Sequence, residues 1–202
     1  AGSKKYGLRA RLLQIRAKHL YIAGISSSVV PLRSAAHRRK CGFIHEFGRR
    51  DLSSERDPWV KRHAYNKGAG GFDKVLIDAP CSGAGTWRRN PDAKWRLKPA
   101  DLDNLVDLQH RILESAARLV KPGGRLVYAT CSLFQEENAD QVQAFLKAHP
   151  DFALLPAAKV WAEAMHQQGV DVRYPGDGDM LVLTPARHGT DGFFVAVMEK
   201  RA

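Results

Sequence analysis

The chain has 202 residues, of which 44% are hydrophobic and 26% charged, the proportions of a soluble globular domain with a core of ordinary size. No apolar run approaches the roughly 20 residues needed to cross a bilayer, and no signal-peptide pattern opens the sequence, so the expectation is a cytoplasmic protein without a membrane partner. The 32 Lys and Arg against 21 Asp and Glu give a net charge of +11, and residues 1–63 hold 15 of the basic but only 4 of the acidic residues. A surplus confined to the first third suggests an electrostatic footprint for a polyanion, most simply nucleic acid.

In chain order, Leu8, Leu12 and Ile15 share one face of a predicted basic helix. His19-Leu20-Tyr21-Ile22-Ala23 reads as a strand, residues 32–40 as a short basic helix, and Phe43-Ile44-His45-Glu46-Phe47 as another strand. Residues 48–71 are polar and end in the glycine-rich loop Asn66-Lys67-Gly68-Ala69-Gly70-Gly71. Residues 74–78 form a buried strand, and 82–98 a long loop carrying Trp87, Arg88, Arg89, Lys94, Trp95 and Arg96. Pro99 and Asp101 open a helix through Val120, with Leu102, Leu105, Val106, Ile112, Leu113 and Ala116 as its apolar stripe. Lys121-Pro122-Gly123-Gly124 ends it, a strand follows over 125–130, and a helix over 137–148. Met180-Leu181-Val182-Leu183 and Phe193-Phe194-Val195-Ala196-Val197 read as a closing antiparallel pair. Such strand–helix alternation implies a doubly wound α/β sheet.

Two cysteines stand at strand ends, in Asp78-Ala79-Pro80-Cys81-Ser82-Gly83 and in Ala129-Thr130-Cys131-Ser132. In an open α/β sheet, ligands bind just beyond the carboxyl ends of the strands. If the two strands are neighbours, about 4.8 Å apart, both sulfurs and the Asp78 carboxylate converge there. A lone free cysteine is most often a small buried apolar residue; a thiol beside a second thiol and a carboxylate has the makings of covalent catalysis. Cys41, in Arg39-Lys40-Cys41-Gly42, has no such context and reads as structural. Three cysteines with no Cys-x-x-Cys and no His-x-x-x-His argue against a disulfide framework and against bound metal. In the 87–96 loop, arginine and lysine suit phosphates and tryptophan suits stacking on an unpaired base. The division expected is basic residues on RNA and at least one tryptophan anchoring the loop.

These motifs, with Trp87-Arg88-Arg89-Asn90-Pro91-Asp92, Lys94-Trp95, Glu136-Glu137-Asn138 and His188-Gly189-Thr190-Asp191-Gly192-Phe193-Phe194, resemble the RNA cytosine-5 methyltransferases of the NOL1/NOP2/Sun group. Within that group the chain is most similar to the bacterial ribosomal-RNA small-subunit methyltransferase B branch, over roughly residues 71–202. The resemblance implies a class I methyltransferase (Rossmann-like) sheet with a C-terminal antiparallel hairpin. It implies S-adenosylmethionine as cofactor and RNA, most simply ribosomal RNA, as substrate of a monomeric enzyme. It further implies that Cys131 is the nucleophile that adds to C6 of cytosine, and that Cys81 helps remove the C5 proton and break the adduct. Asp78 lies near the methionine end of the cofactor, with Pro80 beside it; Arg88, Arg89, Lys94 and Arg96 contact RNA. Arg88, Arg89 and Lys94 are also the candidates for favouring the thiolate, since an ordinary thiol has a pKa near 8.5.

Residues 1–65 depart from the family pattern and form an incomplete cofactor-binding half within a single catalytic domain spanning 1–202, with 71–202 as the catalytic half. Gly2 and Lys4, in Ala1-Gly2-Ser3-Lys4-Lys5, match only the tail of the expected glycine-rich cofactor loop, and the strand that should precede it is missing. No acidic residue follows the strand at 19–23; Asp51 matches the acidic position near the adenine. Three readings follow: an RNA cytosine-5 methyltransferase, a truncated or degenerate relative that binds RNA without methylating it, and a DNA methyltransferase relying on Cys81 alone.

Overall fold

The computed structural model describes residues 71–202 and the backbone of 41–45. The expected elements at 8–16, 19–23 and 32–40, the candidate cofactor residues Gly2, Lys4 and Asp51, and the basic first third lie outside the described residues, apart from β1 (Cys41–His45). That strand begins two residues before the expected one and contains Cys41, of whose side chain nothing is described.

Val75, Leu76 and Ile77 are buried without alternation, as a strand covered on both faces requires. They lie in β2 (Phe72–Asp78), which pairs in parallel with β1 on one side and with β3 (Val120–Thr130) on the other. β6 (Phe193–Lys200) runs antiparallel to β3, and its far edge is shared by two short strands. There β4 (Phe152–Leu155) covers residues 197–200 and β5 (Leu181–Leu183) covers 193–195, both antiparallel. The order is β1-β2-β3-β6-β4, so the expected closing pair is present, with β4 as an addition the sequence reading did not contain.

Side chains alternate between two cores. Val75, Ile77, Leu126, Tyr128, Phe194, Ala196 and Met198 pack on one face with Ile112, Leu113 and Ala116 of α2 (Pro99–Ala117) and Val142 and Phe145 of α3 (Ala139–Ala148). Leu76, Val127, Ala129, Phe193, Val195 and Val197 pack on the other with Val160, Trp161, Ala164 and Met165 of α4 (Ala157–Gln167). Fully burying each of the valine, leucine, isoleucine, phenylalanine and methionine side chains among these contributes about 1.5–3 kcal/mol, which fixes the register: a slip by one residue would exchange the faces.

Several boundaries move for local reasons. α2 starts with Pro99 at its first turn, where the Lys98 N–H donates to Asp101 Oδ2 at 3.0 Å. It ends at Ala117 instead of Val120, because the Phe72 N–H takes the Leu119 carbonyl at 2.8 Å and Val120 already faces Phe72. The β2–β3 pairing then breaks between Phe72 and Lys74, and Lys121-Pro122-Gly123-Gly124 bulges out within β3; Gly123, at φ +72°, makes the turn. The expected loop at 82–98 contains a 3₁₀ turn (Ala84–Thr86) and α1 (Asp92–Arg96), and α5 (Pro185–His188) interrupts the connection from β5 to β6. The helix expected over 137–148 begins at Ala139. Glu137 and Asn138 are instead buried in the turn before it.

Candidate active site

The two cysteine motifs meet because β2 and β3 are parallel neighbours that end level with each other. Asp78 lies opposite Ala129, and the Ala79 N–H donates to the Ala129 carbonyl at 2.9 Å. Cys81 and Cys131 therefore leave the same rim of the sheet, with Sγ 3.4 Å from Sγ and no disulfide between them. Both are half-buried. The hydrogen bond to Cys131 pushes the Cys81 thiol far above its ordinary range, followed by burial and the Cys131 charge; the Glu137 charge adds to this and a backbone hydrogen bond from Gly83 opposes it.

Beneath the sulfurs lies a buried polar network. The Glu137 carboxylate is fully inaccessible and accepts three hydrogen bonds: from Ser82 N at 2.8 Å, Ser82 Oγ at 2.5 Å and Gln109 Nε2 at 3.0 Å. Gln109 Nε2 also donates to the Pro80 carbonyl at 2.9 Å. Both its protons are used, which fixes the amide orientation and leaves Oε1 buried without a hydrogen-bond partner. Tyr128 OH donates to the Glu137 carbonyl at 2.7 Å. Asn138 accepts from Thr130 Oγ1 at 2.5 Å and donates to the Ser132 carbonyl at 3.0 Å. Sequence reasoning gave none of these supporting residues a role. The available signal was Gln109, an amide at stripe spacing on the apolar face of α2.

The arm after Cys81 is braced by backbone and by one carboxylate. Gly85 N donates to the Cys131 carbonyl at 2.9 Å and Gly192 N to the Gly85 carbonyl at 2.8 Å. A Cβ on Gly85 would stand 2.4 Å from Gly192 O and 2.7 Å from Cys131 O. Asp191 is buried; Arg89 reaches its Oδ2 with both Nε and Nη2, and Arg88 Nη2 lies 3.8 Å from Oδ1. Arg89, expected as an RNA contact and a source of thiolate stabilisation, is paired with this buried carboxylate, which requires a partner, and its side chain remains 56% exposed. Trp87 packs edge-on to Phe134 at 5.7 Å and buries its Nε1 without a hydrogen-bond partner. Lys94, Trp95 and Arg96 project from α1, which buries none of its residues; Trp95 is 81% exposed with Lys94 Nζ 5.4 Å from its ring centroid.

Asp78 ends β2 half-buried, and its carboxylate has no hydrogen-bond or ion-pair partner among the described residues. With Pro80 in the next turn, it places an acceptor on the rim that carries the sulfurs. A separate cavity of about 470 Å³, lined by Trp161, Met165, Tyr174 and neighbours, shares no residue with this rim. Among the described residues, no helix is long and apolar enough to cross a membrane, and no cluster of three or more His, Cys, Asp or Glu has the arrangement of a metal site.

Comparison with known proteins bears on the family and the fold. A probable ribosomal RNA small subunit methyltransferase B of Bacillus subtilis is 43% identical over 130 residues, which is 64% of this chain and 28% of that protein. A ribosomal RNA small subunit methyltransferase B of Sodalis glossinidius is 43% identical over 129 residues, 64% of this chain and 26% of that protein. The chain therefore spans about a quarter of the length of these relatives. The crystal structure of PH0851 superposes with a TM-score of 0.54 at 45% identity, covering 64% of this chain and 27% of that one. That of NSun6 from Pyrococcus horikoshii with SFG gives 0.53 at 25% identity, covering 71% and 33%. The fold is that of a Rossmann-like methyltransferase. Residues 54–199 match the family described as 16S rRNA methyltransferase RsmB/F, and the chain belongs to that family.

Proposed function

We propose that this chain carries the catalytic half of an enzyme that methylates C5 of cytosine in ribosomal RNA, using S-adenosylmethionine and a covalent Cys131–C6 adduct. The observation that carries the proposal is the 3.4 Å separation of two reduced sulfurs on the carboxyl rim of adjacent parallel strands. The names of the relatives support ribosomal RNA as substrate. The neighbour solved with SFG, an analogue of the cofactor, supports S-adenosylmethionine. The Asp78 carboxylate, without a partner among the described residues, suits the ammonium group of a methionine moiety, with Pro80 shaping the turn beside it. Gly2, Lys4 and Asp51 would complete the cofactor site, within one catalytic domain that acts as a monomer in the cytosol.

When bound, the cofactor supplies an electrophilic methyl group; the work of this chain is on the pyrimidine. Cys131 adds to C6 and the ring electrons move toward C5, which becomes nucleophilic. Cys81, held protonated, donates its S–H toward the neighbouring sulfur and so supports negative charge on Cys131. Once Cys131 is a thioether its charge is gone and its sulfur accepts only weakly, which eases two of the causes holding the Cys81 pKa up, while burial remains. Cys81 then releases its own proton to solvent, and the resulting thiolate takes the C5 proton from the methylated ring. The electron pair re-forms C5=C6 and expels Cys131 as the thiolate. Trp95, Lys94 and Arg96 suit a single-stranded RNA segment beside the rim.

The test is trapping on RNA containing 5-fluorocytosine, with cofactor, read as a denaturation-resistant protein–RNA band. Cys131→Ala should abolish the band, and Cys81→Ala should retain it and accumulate adduct on ordinary cytosine. Loss on Cys81→Ala with retention on Cys131→Ala would favour the chemistry of DNA enzymes. Calorimetry distinguishes the non-catalytic relative, which would give no heat with millimolar S-adenosylmethionine.

A further inference from the structure

Glu137 and Asn138 take no part in the proposed bond making, yet each holds both chain neighbours of one cysteine. Pro80 and Ser82 flank Cys81. The Ser82 N–H and hydroxyl donate directly to the Glu137 carboxylate, while the Pro80 carbonyl is held by the Gln109 amide that also donates to Glu137. Thr130 and Ser132 flank Cys131. The Thr130 hydroxyl donates to Asn138 Oδ1, and Asn138 Nδ2 donates to the Ser132 carbonyl. The two halves touch at Ser82 Oγ and Ser132 Oγ, 3.1 Å apart. The Ser82 proton is directed to Glu137, so Ser132 donates in that contact.

We propose that Glu137 and Asn138 are positioning residues that hold the two sulfurs in register, Glu137 through the neighbours of Cys81 and Asn138 through those of Cys131. The role rests on the reading of the reaction given above. A buried carboxylate with no ion-pair partner among the described residues is expensive, and an apolar side chain would fill the same turn. Its placement is explained by the need to fix the peptide units on both sides of a reacting thiol, as a catalytic group requires a rigid supporting shell. Consecutive placement of the two residues gives each sulfur its own support while linking both to one turn. The raised Cys81 pKa, to which the Glu137 charge contributes, fits the same division.

The test compares the near-isosteric variants Glu137→Gln and Asn138→Asp of this chain. Iodoacetamide labelling rates of Cys81 and Cys131 are read separately by peptide mass spectrometry. Glu137→Gln should accelerate Cys81 labelling and Asn138→Asp should slow Cys131 labelling, each by about threefold or more relative to the other cysteine. Ser82→Ala and Thr130→Val, which change no charge, should reproduce the same cysteine-by-cysteine pattern more weakly, and they decide the matter if either first variant fails to fold. Equal changes at both cysteines, or none at either, would overturn the assignment. Fluorocytosine trapping is run alongside: a band that survives Cys131→Ala removes the reaction, whereas the labelling pattern judges the positioning role by itself.

Discussion

The rim that bears the sulfurs and the arm that follows Cys81 are built to opposite specifications. On the rim, Glu137, Gln109 and Ser132 are fully buried, and each cysteine is flanked by hydrogen-bonded neighbours. On the arm, α1 buries nothing, Trp95 is 81% exposed, and the Arg88 and Arg89 side chains are more than half exposed. The proposed bond making tolerates little displacement of the reacting atoms, and the two thiols assigned to it hang from strand ends and a buried network. Contacts to a flexible polyanion are individually weak and screened by salt, which suits the exposed Lys94, Trp95 and Arg96 proposed to meet RNA. Between the two stand Gly85 and Gly192, whose backbones touch and tie the arm to the Cys131 turn.

The sharpest way to break the contrast is at the rim. Cys131→Ala should lower methyl transfer to RNA by more than about a thousandfold with folding intact, measured with radiolabelled cofactor. Next comes the joint. Gly85→Ala forces a Cβ against two carbonyl oxygens and should cost about 2–4 kcal/mol in urea unfolding while displacing the arm. On the arm, Trp95→Ala should weaken RNA binding by about 1–3 kcal/mol, read by fluorescence anisotropy, and leave cysteine labelling unchanged.

The smallest expected effect is one of pH. A thiol whose folded pKa is raised above its ordinary unfolded value, about 8.5–9, contributes fully below that value, and its contribution falls as pH climbs beyond it. Unfolding free energy should therefore decline above about pH 9 more steeply in the wild type than in Cys81→Ala. Identical slopes would mean that the thiol is not held protonated by its neighbour.

Much of the rim was legible before folding. Val75-Leu76-Ile77 and Leu126-Val127-Tyr128 announce buried strands by their unbroken apolar character, and the Pro-Cys and Thr-Cys turns follow each at once. The closing pair around Leu181 and Phe194 was legible for the same reason. β4 was not: Phe152-Ala153-Leu154-Leu155 is four residues long and pairs only with the end of β6, a contact across about 45 residues that no local pattern encodes. Glu137 and Asn138 stood in a motif but read as the start of a helix, since periodicity cannot distinguish a first turn from the turn before it. The Arg89 ion pair was not legible, because its partner Asp191 lies 102 positions away and leaves no local mark.

The sequence by itself determined the two buried strands that end at Asp78 and Thr130, which turns carry thiols and which stretch is basic and aromatic, because those follow from short-range pattern and residue chemistry. Tertiary structure alone decided that β2 and β3 are adjacent and level, that the sulfurs stand 3.4 Å apart, and that Asp191 claims Arg89. Those are distances between residues 50 and 102 positions apart. They exist only once the apolar faces of the sheet have chosen their helices and fixed the register.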